Sequence, residues 1–294
     1  MGLVNLMMVN VIVVIGLNVI WGFAGQIALG QAGFVATGAY TVAVMALKLP
    51  TPFWLDLVAG ALVTGLIALV LGLATLRLKS FYLGLATLGF GQIVQQVLLN
   101  WRALSQGANG LVGVPNASLF GIVLGQGWEQ YYLLLFFVVA AVWISQRLIR
   151  SRFGMECRAI RSDERAAEMM GIDAFKTKLA AFVISAVFAA VAGGLYAQLY
   201  QTVSPDVFSF NYMVSILAML LIGGAGVTWG AILGAVLVTL LPEALRFLGN
   251  AYLVVYGFGL VALIIYAPKG LWGILQRVST KNRRGSRQVQ GVRS

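Results

Sequence analysis

Histidine is absent from this 294-residue chain, cysteine occurs once, as Cys157, and only 9 residues are acidic. One cysteine excludes a disulfide within the chain. The lack of histidine beside a single thiol argues against a zinc or haem site, because both draw on those ligands. It also removes the base of a Ser–His or Cys–His pair. No Gly-rich loop ending in Gly-Lys-Ser/Thr is present, so the chain is not expected to hydrolyse ATP by that route. Charge as a whole is scarce, at 10% of residues, against about 25% in soluble globular proteins. No charged residue precedes Lys48. The charged start of a cleavable signal peptide is therefore missing, and the N-terminus is expected to be a retained span.

Apolar residues take up the room, at 60% of the chain. The net charge of +11 would suggest nucleic acid in a soluble protein. Here the cations sit at the ends of apolar runs, which is a membrane pattern, and nucleic acid is not an expected partner. About 20 apolar residues cross a hydrocarbon core. That length places nine spans, near 3–22, 27–47, 57–76, 81–99, 131–145, 179–200, 212–222, 231–245 and 252–267. The fold class is all-α, a polytopic helical membrane protein with the bilayer as its surroundings. Residues 1–275 form the transmembrane domain, and 276–294 a basic tail expected to be disordered. The fourth and seventh segments could each be re-entrant instead.

Orientation follows from Lys and Arg. With nine spans, Arg77, Lys79, the cations of 147–178 and those from Lys269 to Arg293 share one side. Only Lys48, Arg102 and Arg246 fall on the other. The rule puts the rich side in the cytoplasm, with the N-terminus outside and the C-terminus inside.

No Asp, Glu, Lys or Arg falls in the middle of a span, although ion-coupled carriers usually keep such groups as relays. Small residues recur at helix-packing spacing, as Gly226, Gly230 and Gly234, as Ala189, Gly193 and Ala197, and as Ala186, Ala190 and Gly194. Such faces let helices approach closely, within the chain or between subunits. The stretch 22–38 is dense in glycine and holds Gln26 and Gln31. It reads either as a tight turn with small-residue packing or as a broken helix lining a cavity. In the fourth span Gln92, Gln95 and Gln96 recur, with Gln92 and Gln96 on one face. Buried amides must be bonded, either to neighbouring helices or to a wet path.

The largest charged stretch is 147–178. It holds Arg147, Arg150, Arg152, Arg158, Arg161, Arg165, Lys176 and Lys178 together with Glu156, Asp163, Glu164, Glu168 and Asp173. Within it, 163–171 reads as a short helix. Asp163 or Ser162 caps its start, Gly171 ends it, and Ala166, Ala167, Met169 and Met170 give it an adaptable apolar face. Such a helix either lies on lipid headgroups or fits a groove on a partner.

Ala166, Ala167 and Gly171 resemble the EAA…G signature of ABC importer permeases, with Arg165 at the motif's Glu and Glu164 one residue before. Four further stretches are similar to the membrane subunits of branched-chain amino acid importers, the LivM/LivH type and more the LivM member. These run from Gly16-Leu-Asn18 to Tyr40, from Phe81 to Gly91, over Gly107-Ala-Asn109-Gly110, and from Gly223 to Ala235. The resemblance implies an inner-membrane importer of a bacterium. A second homologous permease chain would complete the pore. Two cytoplasmic ATPase subunits would carry ATP and Mg, so that this chain needs no cofactor and is not itself an enzyme. A periplasmic solute-binding protein would deliver branched-chain or other hydrophobic amino acids. Glu164, Arg165, Ala166, Ala167 and Gly171 would form the ATPase-coupling helix, and Asn18, Gln26, Gln31, Gln92, Gln95 and Gln96 are candidates for the translocation path. Relatives of this type also carry urea, short amides and aromatic acids. An ion-coupled carrier acting without an ATPase remains the alternative of another class.

Overall fold

The computed structural model describes residues 2–244 apart from positions 50, 79, 116–117, 120–121 and 124–126. The ninth expected span and the basic tail lie outside the described residues.

Helix α1 (Gly2–Leu17) passes directly into a π-helix at Asn18–Phe23. The chain then runs non-helical to Gly30, and α2 (Gln31–Lys48) follows. Helices α3 (Phe53–Thr75) and α4 (Ser80–Asn100) come next. A polar connection carries the one-turn α5 (Arg102–Ser105) and the short strands β1 (Leu111–Val112), β2 (Ser118–Leu119) and β3 (Ile122–Val123). Helix α6 (Trp128–Arg150) leads into α7 (Arg152–Ser162) and α8 (Glu164–Met169). Helix α9 (Ala174–Tyr200), strand β4 (Thr202–Val203), α10 (Phe210–Gly223) and α11 (Thr228–Ala244) complete the described chain. Strand β4 pairs antiparallel with β1, Leu111 facing Val203, and β2 pairs with β3.

Five of the described helices are long and apolar enough to cross a membrane: Gly2–Phe23, α3, α4, α6 and α9. The chain is thus an all-α, multi-pass membrane protein. At 1.5 Å per residue, α10 and α11 rise only about 21 and 25 Å, short of a hydrocarbon core of about 30 Å. They pair with each other as a hairpin.

Helix α9 stands at the centre, packed against α1, α2 and α3. Its small residues make this possible. A methyl group on Gly193 would lie 2.1 Å from the Val35 carbonyl oxygen, and one on Gly38 would lie 2.4 Å from Ala190 Cα. Backbones therefore touch where α2 crosses α9. Both alanine–glycine stripes of α9 are buried, so they pack helices within this chain. The α10–α11 hairpin repeats the device, since a Cβ on Gly234 would stand 1.9 Å from the Met219 carbonyl.

Several expected boundaries move. The second span begins at Gln31 rather than near residue 27, because 24–30 leaves the helix: Gly25 takes φ +69°, and the Ile27 and Leu29 N–H groups donate to Ser80 Oγ and Thr87 Oγ1. Both readings of 22–38 are realised in part: the helix is broken at 24–30, and Gly33 and Gly38 give close packing against α4 and α9. The stretch 147–178 is helical into both neighbouring spans. Its arginines in the last turn of α6 complement that helix's C-terminal dipole. Asp56 sits in the first turn of α3, buried and bonded to Thr51 Oγ1 at 2.6 Å. Gly226 is not on the α11 face with Gly230 and Gly234. It lies in the preceding turn at φ +95°, a left-handed conformation that glycine adopts freely, and its N–H is held by Asn18.

Gly193→Ala is expected to cost about 1–3 kcal/mol through overpacking and to lower the thermal midpoint of the detergent-purified chain. Gly89→Ala, on the same test, should not lower it, because a methyl group there meets nothing within 4 Å.

Candidate functional site

The features named from sequence gather mainly at one end of the bundle. Here α8 is exposed, except at one residue. Asp163 caps it, its carboxylate accepting from the Ala166 N–H at 3.1 Å. Gly171, at φ +83°, turns the chain out of it. Ala167 is 4% exposed and packs with Ile160 and Ala174, which fastens α8 to α7 and α9. Met169 and Met170 are 89% and 83% exposed, with Arg165, Ala166 and Glu168 also turned outward. Glu164 pairs with the buried Lys178 at 2.5 Å. The Asp173 carboxylate caps α9 at Lys176 N–H, and that bond and the Lys176 ammonium hold its pKa below the usual carboxylate range. These five residues, Glu164, Arg165, Ala166, Ala167 and Gly171, therefore share one rigid, capped knob.

Beneath α8 lies α7. Cys157 on α7 is buried with Val19, Phe23 and Ala24 of the helix break and with Ala181 of α9, and Phe153 packs against the same cluster. At the end of α7, Arg161 Nη1 donates to the Gly22 carbonyl of the π-helix.

The candidate path residues separate into two groups. Asn18, Gln26 and Gln31 lie buried in the break. Asn18 Oδ1 accepts from Gly226 N–H at 2.8 Å, while its Nδ2 has no partner. Gly22 must lack a side chain for this, since a methyl group there would meet Asn18 Oδ1 at 1.9 Å. Gln31 donates to the Ser185 carbonyl at 3.2 Å and accepts from Ser185 Oγ at 3.2 Å. Its amide thus ties the start of α2 to the middle of α9. Gln92, Gln95 and Gln96 stand apart on α4, the first two half-buried and Gln96 exposed, among the outward-facing Ile93 and Val97.

The sequence reading left out a polar cluster at the opposite end. Tyr212 OH donates to Asn10 Oδ1 at 3.2 Å, and Asn10 Nδ2 donates to Thr239 Oγ1 at 3.0 Å. These side chains line a cavity of about 370 Å³ together with Tyr196, Tyr200, Ser215 and Glu243. An amide within the apolar run 3–22 is the signal that marks Asn10. Arg161 was likewise one cation among many in sequence; only the fold brings it to Gly22.

The family model for the permease component of branched-chain amino acid transport systems matches residues 1–267. The chain is 34% identical over 287 residues to the high-affinity branched-chain amino acid transport system permease protein LivM of Salmonella typhimurium, covering 90% of this chain and 68% of that one. It is 34% identical over 290 residues to LivM of Escherichia coli K12, covering 91% and 68%. It is 27% identical over 287 residues to the permease protein LivH of Salmonella typhimurium, covering 89% and 90%. No solved structure matches.

Burial, helped by the neighbouring Glu156 charge, pushes the Cys157 thiol up to about 12. The reactive thiolate is then almost absent at neutral pH. Native membranes are expected to protect Cys157 from N-ethylmaleimide, with labelling appearing only in denaturing detergent. Rapid labelling of the native chain would show that α7 does not stay docked on the break.

Proposed function

The chain belongs to the permease-component family of branched-chain amino acid transport systems, and we propose that it is the membrane subunit of an ATP-driven importer of branched-chain or other hydrophobic amino acids. The observation that carries the mechanism is α8. A short helix, capped at both ends and anchored by one buried alanine, presents two exposed methionines. Methionine fits an irregular protein groove, and such a knob suits the surface of a cytoplasmic ATPase. Two ATPase subunits bind and hydrolyse ATP with Mg. A second homologous permease chain completes the pore, and a periplasmic binding protein delivers the solute to the face opposite α8.

The proposed topology has nine spans, N-terminus outside and C-terminus inside, in a bacterial inner membrane. The cation distribution supports it, and it puts α7 and α8 in the cytoplasm. Helix α4 faces the sister chain. Its Gln92, Gln95 and Gln96 stand on a weakly covered helix, and amides turned to lipid would be costly. A polar, sparsely charged seam between two permease chains suits a zwitterionic solute that passes without tight binding.

In liposomes containing the complete importer, leucine uptake is expected to require hydrolysable ATP. Gly171→Arg strains a left-handed turn beside the docking face and is expected to reduce uptake at least tenfold. A side chain there costs about 1–2 kcal/mol for the left-handed backbone, and because a Cβ on Gly171 meets nothing within 4 Å the lesion stays local to the end of α8. Uptake that ignores ATP and follows an ion gradient would overturn the reading, and normal uptake by Gly171→Arg would remove α8 from it.

A further inference from the structure

The knob α8 meets the spans in two ways, directly at the start of α9 through Ala174 and Lys178 and, by way of α7, at the helix break. Helix α8 is fastened to α7 through Ala167 and Ile160. Helix α7 is fastened to the π-helix through Cys157, Val19 and Phe23. The two helices thus form one arm lying on the break. In the last turn of α7, just before α8, Arg161 Nη1 donates to the Gly22 carbonyl.

That carbonyl needs a donor. Helix ends leave carbonyls without intrahelical partners. Here the Ala24 N–H goes to Val19 O and the Gln26 N–H to Ile20 O, while the Ile27 N–H leaves the helix for Ser80. The guanidinium takes the place of the missing amide, and its charge suits the negative end of a helix dipole. Glycines clear its seat on two sides. A Cβ on Gly25 would stand 2.8 Å from Arg161 Cγ, and one on Gly226 would stand 2.7 Å from Arg161 Nη1 and 3.1 Å from the Gly22 carbonyl. Gly226 N–H is in turn bonded to Asn18 in the π-helix. One side chain therefore meets the π-helix, the non-helical segment after it, and the turn between α10 and α11. The first has altered helical bonding, and the other two are not helical.

We propose that Arg161 is the positioning residue that transmits movement of α8 to the helix break, by clasping the Gly22 carbonyl between Gly25 and Gly226. Movement of the arm then displaces the end of the π-helix and the segment 25–30. That segment is bonded to Ser80 and Thr87 of α4, so displacement reaches the helix that bears Gln92, Gln95 and Gln96. The inference rests on the reading of the chain as an ATP-driven permease.

The test uses the complete importer in liposomes and reads leucine moved per ATP hydrolysed, a ratio that reduced yield or stability does not change. Arg161→Gln is expected to keep ATP hydrolysis within twofold of wild type while leucine per ATP falls at least tenfold. Arg161→Lys, which keeps the charge but not the fork, should fall about threefold. Gly226→Ala should lower the ratio by a route that is not additive with Arg161→Gln, because both lesions strike one contact. A wild-type ratio in Arg161→Gln, or full additivity in the double variant, overturns the proposal. Where Arg161→Gln fails to assemble, Arg161→Lys decides: a threefold loss supports the clasp and a wild-type ratio overturns it. Absence of ATP-dependent uptake in the wild type would instead overturn the function on which the clasp depends.

Discussion

A backbone amide inside an apolar bundle has no water to turn to, and leaving one unbonded costs several kcal/mol. The segment between the π-helix and α2 gives up helical bonding at the α7 end of the bundle, where Gln26, Ala28 and Gly30 are buried, so neighbouring elements compensate. Thr87 serves Leu29. Its hydroxyl accepts from Leu29 N–H at 2.9 Å and donates to carbonyls of its own helix, Leu83 and Gly84. Ser80 serves Ile27. Arg161 serves Gly22. Sequence dictates each of these roles, because a hydroxyl in the first turns of α4 and a long cation at the end of α7 are the groups that can reach. The break is thus a built feature with donors and acceptors assigned to it, and α4 and α7 are both bound to it.

The same constraint explains the crowding of small residues around it. Close backbone approach between α2 and α9 supplies dispersion contacts where the hydrophobic effect offers little, since lipid is as apolar as leucine. It also seals the region in which Gln31 bonds Ser185. Had larger residues held α2 and α9 apart, the bond from the Ser185 hydroxyl to the Gln31 amide oxygen at 3.2 Å would not close. Packing and polar bonding are therefore one device here. The outward faces of α3, α4 and α6 differ, since they keep large apolar side chains such as Leu66, Phe136 and Ile93 exposed, for lipid or for another chain.

What could be read from sequence follows the range of the interaction. The α8 knob was legible to within a residue or two, because its cap, its length and its terminating glycine are all set within nine positions, and the structure chooses Asp163 over Ser162 as the cap. The long spans were legible from apolar length. The break at 22–38 was visible as an anomaly, glycines and amides in a greasy stretch, but its form was not, since Gln31 and Ser185 bond across 154 positions and Asn18 and Gly226 across 208. Gly226 shows the limit of periodicity. A spacing of four residues fits a helix face and a turn followed by a helix equally well, and only φ separates them. Arg161 carried no signal of its own among the cations of 147–178.

An arm that moves a bundle must be stiffer than what it moves. Helices α7 and α8 meet this through burial of Ile160, Ala167 and Cys157 and through the Glu164–Lys178 pair, one end of which is buried in the first turns of α9. The break meets the opposite requirement. Two of its amides bond back to the π-helix at Val19 and Ile20, two others run to the Ser80 and Thr87 side chains, and one amide nitrogen of Asn18 is left without a partner. Side-chain bonds can exchange partners without unwinding a helical turn, and an unpartnered buried donor stands ready to accept one. Stiffness and compliance lie side by side, joined at Gly22. On the proposed coupling, movement of α8 reaches both the start of α9, through Ala174 and Lys178, and the break, and the break yields more readily than the α2–α9 contact, where backbones already touch.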